Sequence, residues 1–194
     1  VLPNGVFEEE DFESAIGNLG FFADADFRNS IFTADKGLRI KGTYLINRDF
    51  TGSDYTFDRA ELFVHYFLQP VKRLISAFRA EGMAISDGAP FYSYPFVSIR
   101  GIPILRYQGK QTLVFETEQR FDITPRWSAL GFIGSGMAFN QSSFNDEPEA
   151  WHWSGGLGFR YLLSRLFNLR VGVDVAKGPE NYAYYIVFGH SWNR

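Results

Sequence analysis

The chain contains no cysteine among its 194 residues, which excludes disulfide bonds and thiolate metal sites. It also lacks any apolar run approaching the ~20 residues that a membrane-spanning helix needs. The net charge is only −3 and no basic patch is concentrated anywhere, which argues against binding to nucleic acid. No signal peptide is recognisable, and Val1 is not an initiator. We therefore expect a mature, processed chain or a piece of a longer one.

Aromatic residues make up 18% of the chain and there are 19 glycines, while helical periodicity is nearly absent. Runs with a period of two recur instead, and most approach or exceed the ~9–11 residues of a membrane-spanning strand. The predicted strands are 17–26, 37–48, 55–67, 71–84, 110–121, 126–138, 152–163, 167–176 and 182–192. Short connections, such as Gln69-Pro70, alternate with long ones, such as 85–109. This arrangement is typical of the periplasmic turns and extracellular loops of an outer-membrane barrel.

The alternation separates apolar from charged side chains. Between Gln111 and Phe121, for example, Leu113 and Phe115 fall on one face, whereas Glu116 and Glu118 fall on the other. Periodicity alone leaves open which face points outward, because a soluble antiparallel sheet alternates too. The aromatic content favours an apolar outer face, since Trp and Tyr are enriched where a barrel meets the membrane interface.

The predicted lumen-facing charges are of both signs, which fits cross-barrel ion pairs and a plugged lumen better than an open ion-selective pore. They are Arg39, Lys41, Arg59, Arg79, Arg120, Arg160 and Arg170, with Glu61, Glu81, Glu116, Glu118 and Asp174.

The last strand ends in aromatic residues. Its alternation puts Tyr184, Ile186, Phe188 and Trp192 on one face, with Gly189 near its close. It looks like the terminal recognition strand of bacterial outer-membrane barrels, where the final aromatic lies in the interfacial girdle.

Nine strands are an odd number, whereas bacterial single-chain barrels have even counts. We therefore expect residues 17–194 to be the C-terminal part of a larger barrel, with 1–16 as an extracellular loop or lead-in. The alternative is a missed tenth strand near Val6 to Phe12, but the acidic run from Glu8 to Asp11 makes a poor lipid-facing strand.

Four ordered segments resemble the bacterial surface antigen family, which includes outer-membrane assembly factors of BamA type and, as relatives, two-partner-secretion transporters. The first is DFRNSIFTADKG, which is similar to the family's periplasmic turn and contributes Asp26, Arg28, Asn29 and Gly37. The others are SIRGIP at 98–103, ETEQRF at 116–121 followed by GFIGSG at 131–136, and the ending GLGFRY, VGVDVA and FGHSW. Their order and spacing match the family from about residue 17 to residue 192.

The resemblance implies a non-enzymatic Gram-negative outer-membrane barrel acting in outer-membrane protein biogenesis or polypeptide translocation. The implied partners are outer-membrane lipid and lipopolysaccharide, the barrel assembly machinery through the C-terminal strand, and client polypeptides. A homo-oligomer or a missing N-terminal half of the barrel is a further expectation. No periplasmic polypeptide-binding module is present in the sequence, so assembly activity is an analogy at the level of the fold.

A loop latch is predicted within the connection 85–109, which is too long for a simple hairpin. Arg100 lies near its tip, and Gly101 lets the backbone pass close to a wall. Arginine suits a two-pronged pair with a carboxylate, and Glu118 is the expected partner, with Glu116 as the fallback. In the resembled family an acid usually stands at the position of Gly134, so the latch here has lost one of two anchors. The alternative is that Arg100 sits at a solvated loop tip.

Other constellations give weaker signals. His65, His152 and His190 lie on separate strands without ligand-like spacing, so we expect no metal site, no cofactor and no catalytic residues. Two other functions stay open. One is a structural or pore-type outer-membrane barrel or membrane anchor, and the other is a soluble lipocalin-like barrel that binds a hydrophobic ligand.

Overall fold

The computed structural model describes residues 14–141 and 149–192. Within them, nine strands form one antiparallel sheet in which each strand pairs with the next along the chain. The strands are β1 (Leu19–Asp26), β2 (Gly37–Asn47), β3 (Phe57–Val71), β4 (Leu74–Ile85), β5 (Gly109–Asp122), β6 (Trp127–Gln141), β7 (His152–Ser164), β8 (Leu169–Lys177) and β9 (Tyr182–Phe188). The predicted all-β antiparallel class is confirmed. In the part of the chain described, β1 and β9 each pair on one side only.

The connections differ at the two ends of the sheet. At one end, which we call the turn rim, the connections are 27–36, 72–73, 123–126 and 165–168. At the other end, the loop rim, they are 48–56, 86–108, 178–181 and the connection between β6 and β7, of which 149–151 are described. The described residues contain no helix of sufficient length and apolar character to cross a membrane.

The turn predicted at Gln69-Pro70 is wrong. Strand β3 continues to Val71, and the chain reverses at Lys72 and Arg73, where Arg73 has a φ of 77°. The β3–β4 register shifts between Leu68 and Val71. A bulge of this kind accommodates Pro70, because the ladder is already interrupted where proline offers no N–H.

The predicted lead-in 1–16 is described only from Ser14 onward, and the option of a strand near Val6 to Phe12 lies outside the described residues. Ser14 and Ala15 lie at the loop rim. The Ala15 N–H donates to Asp54 Oδ2 over 2.7 Å, and the hydroxyls of Ser14 and Tyr92 lie 2.5 Å apart.

The two faces of the sheet differ sharply in polarity. On β5, Leu113, Phe115 and Phe121 are 38%, 50% and 49% exposed, whereas Glu116, Glu118 and Arg120 are each 4% exposed. The sheet is also curved, because Asn168 Nδ2 donates to the Thr33 carbonyl over 2.6 Å and so joins two distant connections of the turn rim. We call the apolar exposed side the outer face and the charged buried side the inner face.

The C-terminal end departs from the predicted strand 182–192. Strand β9 stops at Phe188, and Gly189 adopts a φ of 76°, which turns the chain toward the inner face. Trp192 is buried with Ala34, Phe67 and Ala77. The prediction that Trp192 shares a face with Phe188 is therefore wrong, because the left-handed conformation at Gly189 interrupts the alternation.

Candidate functional site

The connection 86–108 lies against the inner face of the sheet. Val97, Ile99, Ile102 and Tyr107 from this connection form a buried apolar cluster with Val114 of β5 and Ala138 of β6. The Val97 N–H also donates to the Tyr107 carbonyl over 2.9 Å, which ties the two sides of the connection together. The long loop is therefore packed along the wall by apolar contacts, and its tip is held in one place.

Glycines on β6 make room for this loop. A Cβ atom on Gly134 would lie 3.0 Å from Ile99 Cγ2 and 3.1 Å from Glu116 Cγ, and one on Gly136 would lie 2.5 Å from Val97 Cγ1. An acidic side chain at position 134 would have to displace Ile99. The close packing of Ile99 against β6 therefore depends on glycine at position 134.

The Arg100 guanidinium lies among three carboxylates. Its Nε donates to Glu116 Oε1 over 2.8 Å, and its Nη1 donates to Asp174 Oδ2 over 2.8 Å. Arg100 Nη1 also lies 2.8 Å from Glu118 Oε2. The guanidinium carbon stands 3.5 Å from the centroid of the Phe132 ring, which covers one of its faces. A buried arginine surrounded in this way has its charge compensated from several directions.

Glu118 takes part in this cluster mainly by charge. Although Glu118 Oε2 is close to Arg100, the contact lacks hydrogen-bond geometry, and this oxygen has no hydrogen-bond partner. Glu118 Oε1 lies 3.6 Å from His190 Nε2. Of the two partners predicted for Arg100, Glu116 accepts its hydrogen bonds and Glu118 contributes an ion-pair contact.

The backbone of the loop tip is also fixed to the wall. The Arg100 carbonyl accepts a hydrogen bond from the Ser154 hydroxyl, and the Gly101 N–H donates to the Tyr185 hydroxyl over 2.8 Å. Gly101 has a φ of 91°, and a Cβ atom there would lie 2.5 Å from Ser154 Oγ. Glycine is required at this position both for the conformation and for the close approach to β7.

Two further arginines extend the cluster. Arg79 donates to both Glu81 oxygens over 2.6 Å, to Glu116 Oε2 over 3.0 Å, and to the Ser98 carbonyl over 2.9 Å. Arg160 donates to both oxygens of Asp174 over 2.5 Å and 2.9 Å. We call Arg79, Glu81, Arg100, Glu116, Glu118, Arg160 and Asp174 the inner ion-pair network, and all seven residues are buried.

A second set of polar contacts lies nearer the turn rim. Arg120 pairs with Asp35 of the β1–β2 connection and with Asp122, which is 3.3 Å away. Ser128 donates to Asp122 over 2.6 Å and accepts from Arg170 over 2.6 Å. These contacts tie the first connection to strands β5, β6 and β8.

The predicted turn residues Asp26, Arg28, Asn29 and Gly37 lie together at the β1–β2 connection. Arg28 donates to both oxygens of Asp26 over 2.9 Å and 2.7 Å, and Asn29 Oδ1 accepts from two backbone N–H groups at 3.0 Å and 3.1 Å. Gly37 has a φ of 119°. The segment spans ten residues between strands, so it is an ordered loop with internal hydrogen bonds rather than a tight turn.

The predicted recognition-strand residues divide into two groups. Tyr184, Ile186 and Phe188 project from the outer face and are 73%, 77% and 68% exposed, whereas Gly189 and Trp192 belong to the inward-turning end. The structure thus brings Arg100, Gly101, Glu116 and Glu118 together on the inner side but leaves Tyr184, Ile186 and Phe188 on the opposite side of the wall.

Sequence reasoning assigned Asp174 to the inner face without pairing it with Arg100, and it missed Ser154 and Tyr185. The sequence signal for Asp174 is its place as an acid among valines on β8, but nothing local indicates its partner. His152 stands apart and stacks on Tyr107, with 3.4 Å between ring centroids. His65 and His190 both pack against Trp192, at 5.8 Å and 4.5 Å between ring centroids, and His65 Nε2 lies 3.8 Å from Glu81. Among residues 14–141 and 149–192, no cluster of three or more His, Asp or Glu side chains could hold a metal ion.

No family model matches the chain, and a search of curated proteins finds no match. The resemblance to the surface antigen family therefore rests on the sequence motifs and their spacing.

Proposed function

We propose that this chain forms part of the wall of a β-barrel in a Gram-negative outer membrane, with its outer face toward lipid. The observation that carries the proposal is the inverted polarity of the sheet. Aromatic and aliphatic side chains cover the outer face, whereas the charged side chains are buried and paired on the inner face. An apolar outer face of this size is unfavourable in water, whereas contact with the acyl chains of a bilayer makes it favourable.

A soluble lipocalin-like barrel fits these observations less well. Such a barrel would hold a hydrophobic ligand in an apolar interior, whereas here the inner ion-pair network and the connection 86–108 occupy that side. An open ion-selective pore is also disfavoured, because the inner charges are of both signs and Arg100 is neutralised by Glu116, Glu118 and Asp174.

The direction of the edge strands constrains how the barrel closes. In a nine-stranded antiparallel sheet, β1 and β9 run in the same direction. A second copy related by an axis along the membrane normal would keep that direction and bring its edge strand parallel to β1 or β9. Closure by antiparallel pairs alone requires an odd number of additional strands between β9 and β1. This argues against closure of the described strands by copies related through an axis along the membrane normal.

We further propose a non-enzymatic role in outer-membrane protein biogenesis or polypeptide translocation. This step rests on the resemblance to the BamA-type family, whose motifs fall at the β1–β2 connection, at Arg100 and Gly101, and at Glu116 and Glu118. The implied partners are client polypeptides, outer-membrane lipid with lipopolysaccharide, and the assembly machinery that reads the C-terminal strand. A structural or pore-type barrel or anchor is the competing role.

Two experiments test these proposals. The membrane assignment predicts that the protein needs detergent to stay in solution and migrates differently on gels with and without heating. A protein that stays monomeric in buffer alone contradicts it. The role is tested by planar-bilayer conductance set against a folding assay on a client barrel. Accelerated client folding without steady conductance supports biogenesis, and the reverse result supports a pore.

A further inference from the structure

The outer face carries a groove that the inner network does not explain. It crosses strands β3 to β7, is open to the surface and has a volume of about 660 Å³. Ala80, Thr117 and Ser135 form its floor, and its sides are Val64, Tyr66, Phe78, Phe115, Ile133, Trp151 and Trp153. We call it the aromatic groove.

The groove follows from the register of the strands. Ala80, Phe115, Ser135 and Trp153 are directly paired in one row across β4 to β7. Small side chains at two of these positions leave a depression, because neighbouring side chains in the row are large. The Phe115 and Trp151 rings lie 6.1 Å apart and form one side of it.

The shape and chemistry of the groove select a hydrocarbon chain. Five strands at ~4.8 Å spacing give a length of roughly 19 Å, which suits a long, thin occupant. The volume lies within the ~300–1,000 Å³ of typical small-molecule sites. Although Arg79 and Glu116 contribute to the groove lining, their charged groups pair with each other on the inner face at 3.0 Å. A charged headgroup would therefore find no ionic partner inside it.

The groups on the floor are small. Thr117 Oγ1 donates to the Ala77 carbonyl over 3.0 Å and is therefore satisfied within the protein. The Ser135 hydroxyl is buried and has no partner among the described residues, and its small size leaves room for a chain.

We infer that the aromatic groove holds one acyl chain of an outer-membrane phospholipid. This inference rests on the proposed membrane location of the outer face. The bound chain fills the depression left by Ala80 and Ser135 and is flanked by the rings of Phe78, Phe115 and Trp153. The lipid is then a stoichiometric component of the wall at this position, distinct from the lipids that exchange freely around it.

The test is native mass spectrometry of the purified protein released from detergent, titrated with dipalmitoyl phosphatidylethanolamine. Ala80→Leu and Ser135→Leu fill the groove from two different strands. Ala129→Leu, at an exposed outer-face position on β6 outside the groove, adds a leucine side chain as a control. We expect the unaltered protein and the control to retain one lipid saturably, and each groove variant to bind it at least fivefold more weakly.

Three outcomes overturn the inference. Equal lipid retention by all four proteins means that only loosely associated lipid is present. A dimer that Ala80→Leu dissociates means that a second copy of the chain covers the groove. Loss of binding in the control to the same degree means that the effect is not local. A gel shift on heating in every variant establishes that each variant is folded. If the protein stays soluble without detergent, that result contradicts the proposed membrane location and not the groove inference alone.

Discussion

Arg100 Nη1 lies 2.8 Å from Asp174 Oδ2, although 74 residues separate these two positions in the chain. The contact joins the tip of the connection 86–108 to strand β8, which lies three strands away in the sheet from β5, the strand that carries Glu116. Asp174 also accepts two hydrogen bonds from Arg160. A carboxylate on β8 thus supplies an anchor for Arg100 in addition to Glu116.

Replacing Arg100 tests the importance of this cluster. Arg100→Ala leaves three buried carboxylates without their shared cation, and breaking a buried pair costs about 3–5 kcal/mol. We expect this loss in the free energy of unfolding in urea, with the strands still formed. Arg106→Ala, which removes a partly exposed pair with Glu180, should cost less than about 1 kcal/mol. Equal effects of the two substitutions would show that Arg100 is no anchor.

A side chain at position 134 should destabilise the packing of the loop against β6. Gly134→Ala places a Cβ atom 3.0 Å from Ile99 Cγ2, and overpacking of this kind costs about 1–3 kcal/mol. Gly82→Ala is the control, because its Cβ atom would lie 3.4 Å from Leu113 Cδ2, an ordinary contact. We expect urea unfolding to separate the two variants, with Gly134→Asp at least as unstable as Gly134→Ala. Stabilisation by Gly134→Asp would mean that the loop moves aside to accept a second acid.

The loop tip should depend on glycine at position 101. Gly101→Ala combines a positive φ with a Cβ atom 2.5 Å from Ser154 Oγ, whereas Gly52→Ala has a positive φ of 76° and no atom within 4 Å. Both variants carry the conformational penalty of about 1 kcal/mol, and only the first also displaces the loop. We expect faster amide hydrogen exchange across residues 96–108 in Gly101→Ala alone. Matching exchange in both variants would contradict the close approach to β7.

The two tryptophans Trp153 and Trp192 should differ in their access to lipid. Trp153 lies on the outer face, whereas Trp192 packs inside against Phe67, with ring centroids 6.1 Å apart. In bilayers containing brominated acyl chains, Trp153→Phe should remove part of the fluorescence quenching, to which the exposed Trp127 and Trp151 also contribute. Trp192→Phe should leave the quenched component intact. Strong quenching of Trp192 would restore the prediction that it belongs to an interfacial girdle.

The sequence predicts the strands well because alternation is a local property. The observed bounds of β2, Gly37–Asn47, differ by one residue from the predicted 37–48. The predicted division of β5 into an apolar face and a charged face is confirmed for the same reason, because side chains along one strand alternate between its two faces. Local alternation fails where the backbone leaves the extended region, as it does at Gly189 and Arg73.

The candidate site is less predictable because it depends on contacts across the curved sheet. The pairing of Arg100 with Glu116 is suggested by their nearness in sequence and by their chemistry. The contacts with Asp174, Ser154 and Tyr185 depend on how far the sheet curls and where the loop lies. The periodicity of the sequence carries no information on these distances between distant strands, so the contacts become visible only in the assembled sheet.

The most direct test of the central claim compares neighbouring positions on opposite faces of β2. The chain has no native cysteine, so Ile40→Cys and Lys41→Cys can each carry one nitroxide label without background. For protein in lipid bilayers, we expect oxygen to relax the label at position 40 and a water-soluble nickel complex to relax the label at position 41. Equal access of both reagents to the two labels, or the reverse pattern, would contradict a lipid-facing outer surface.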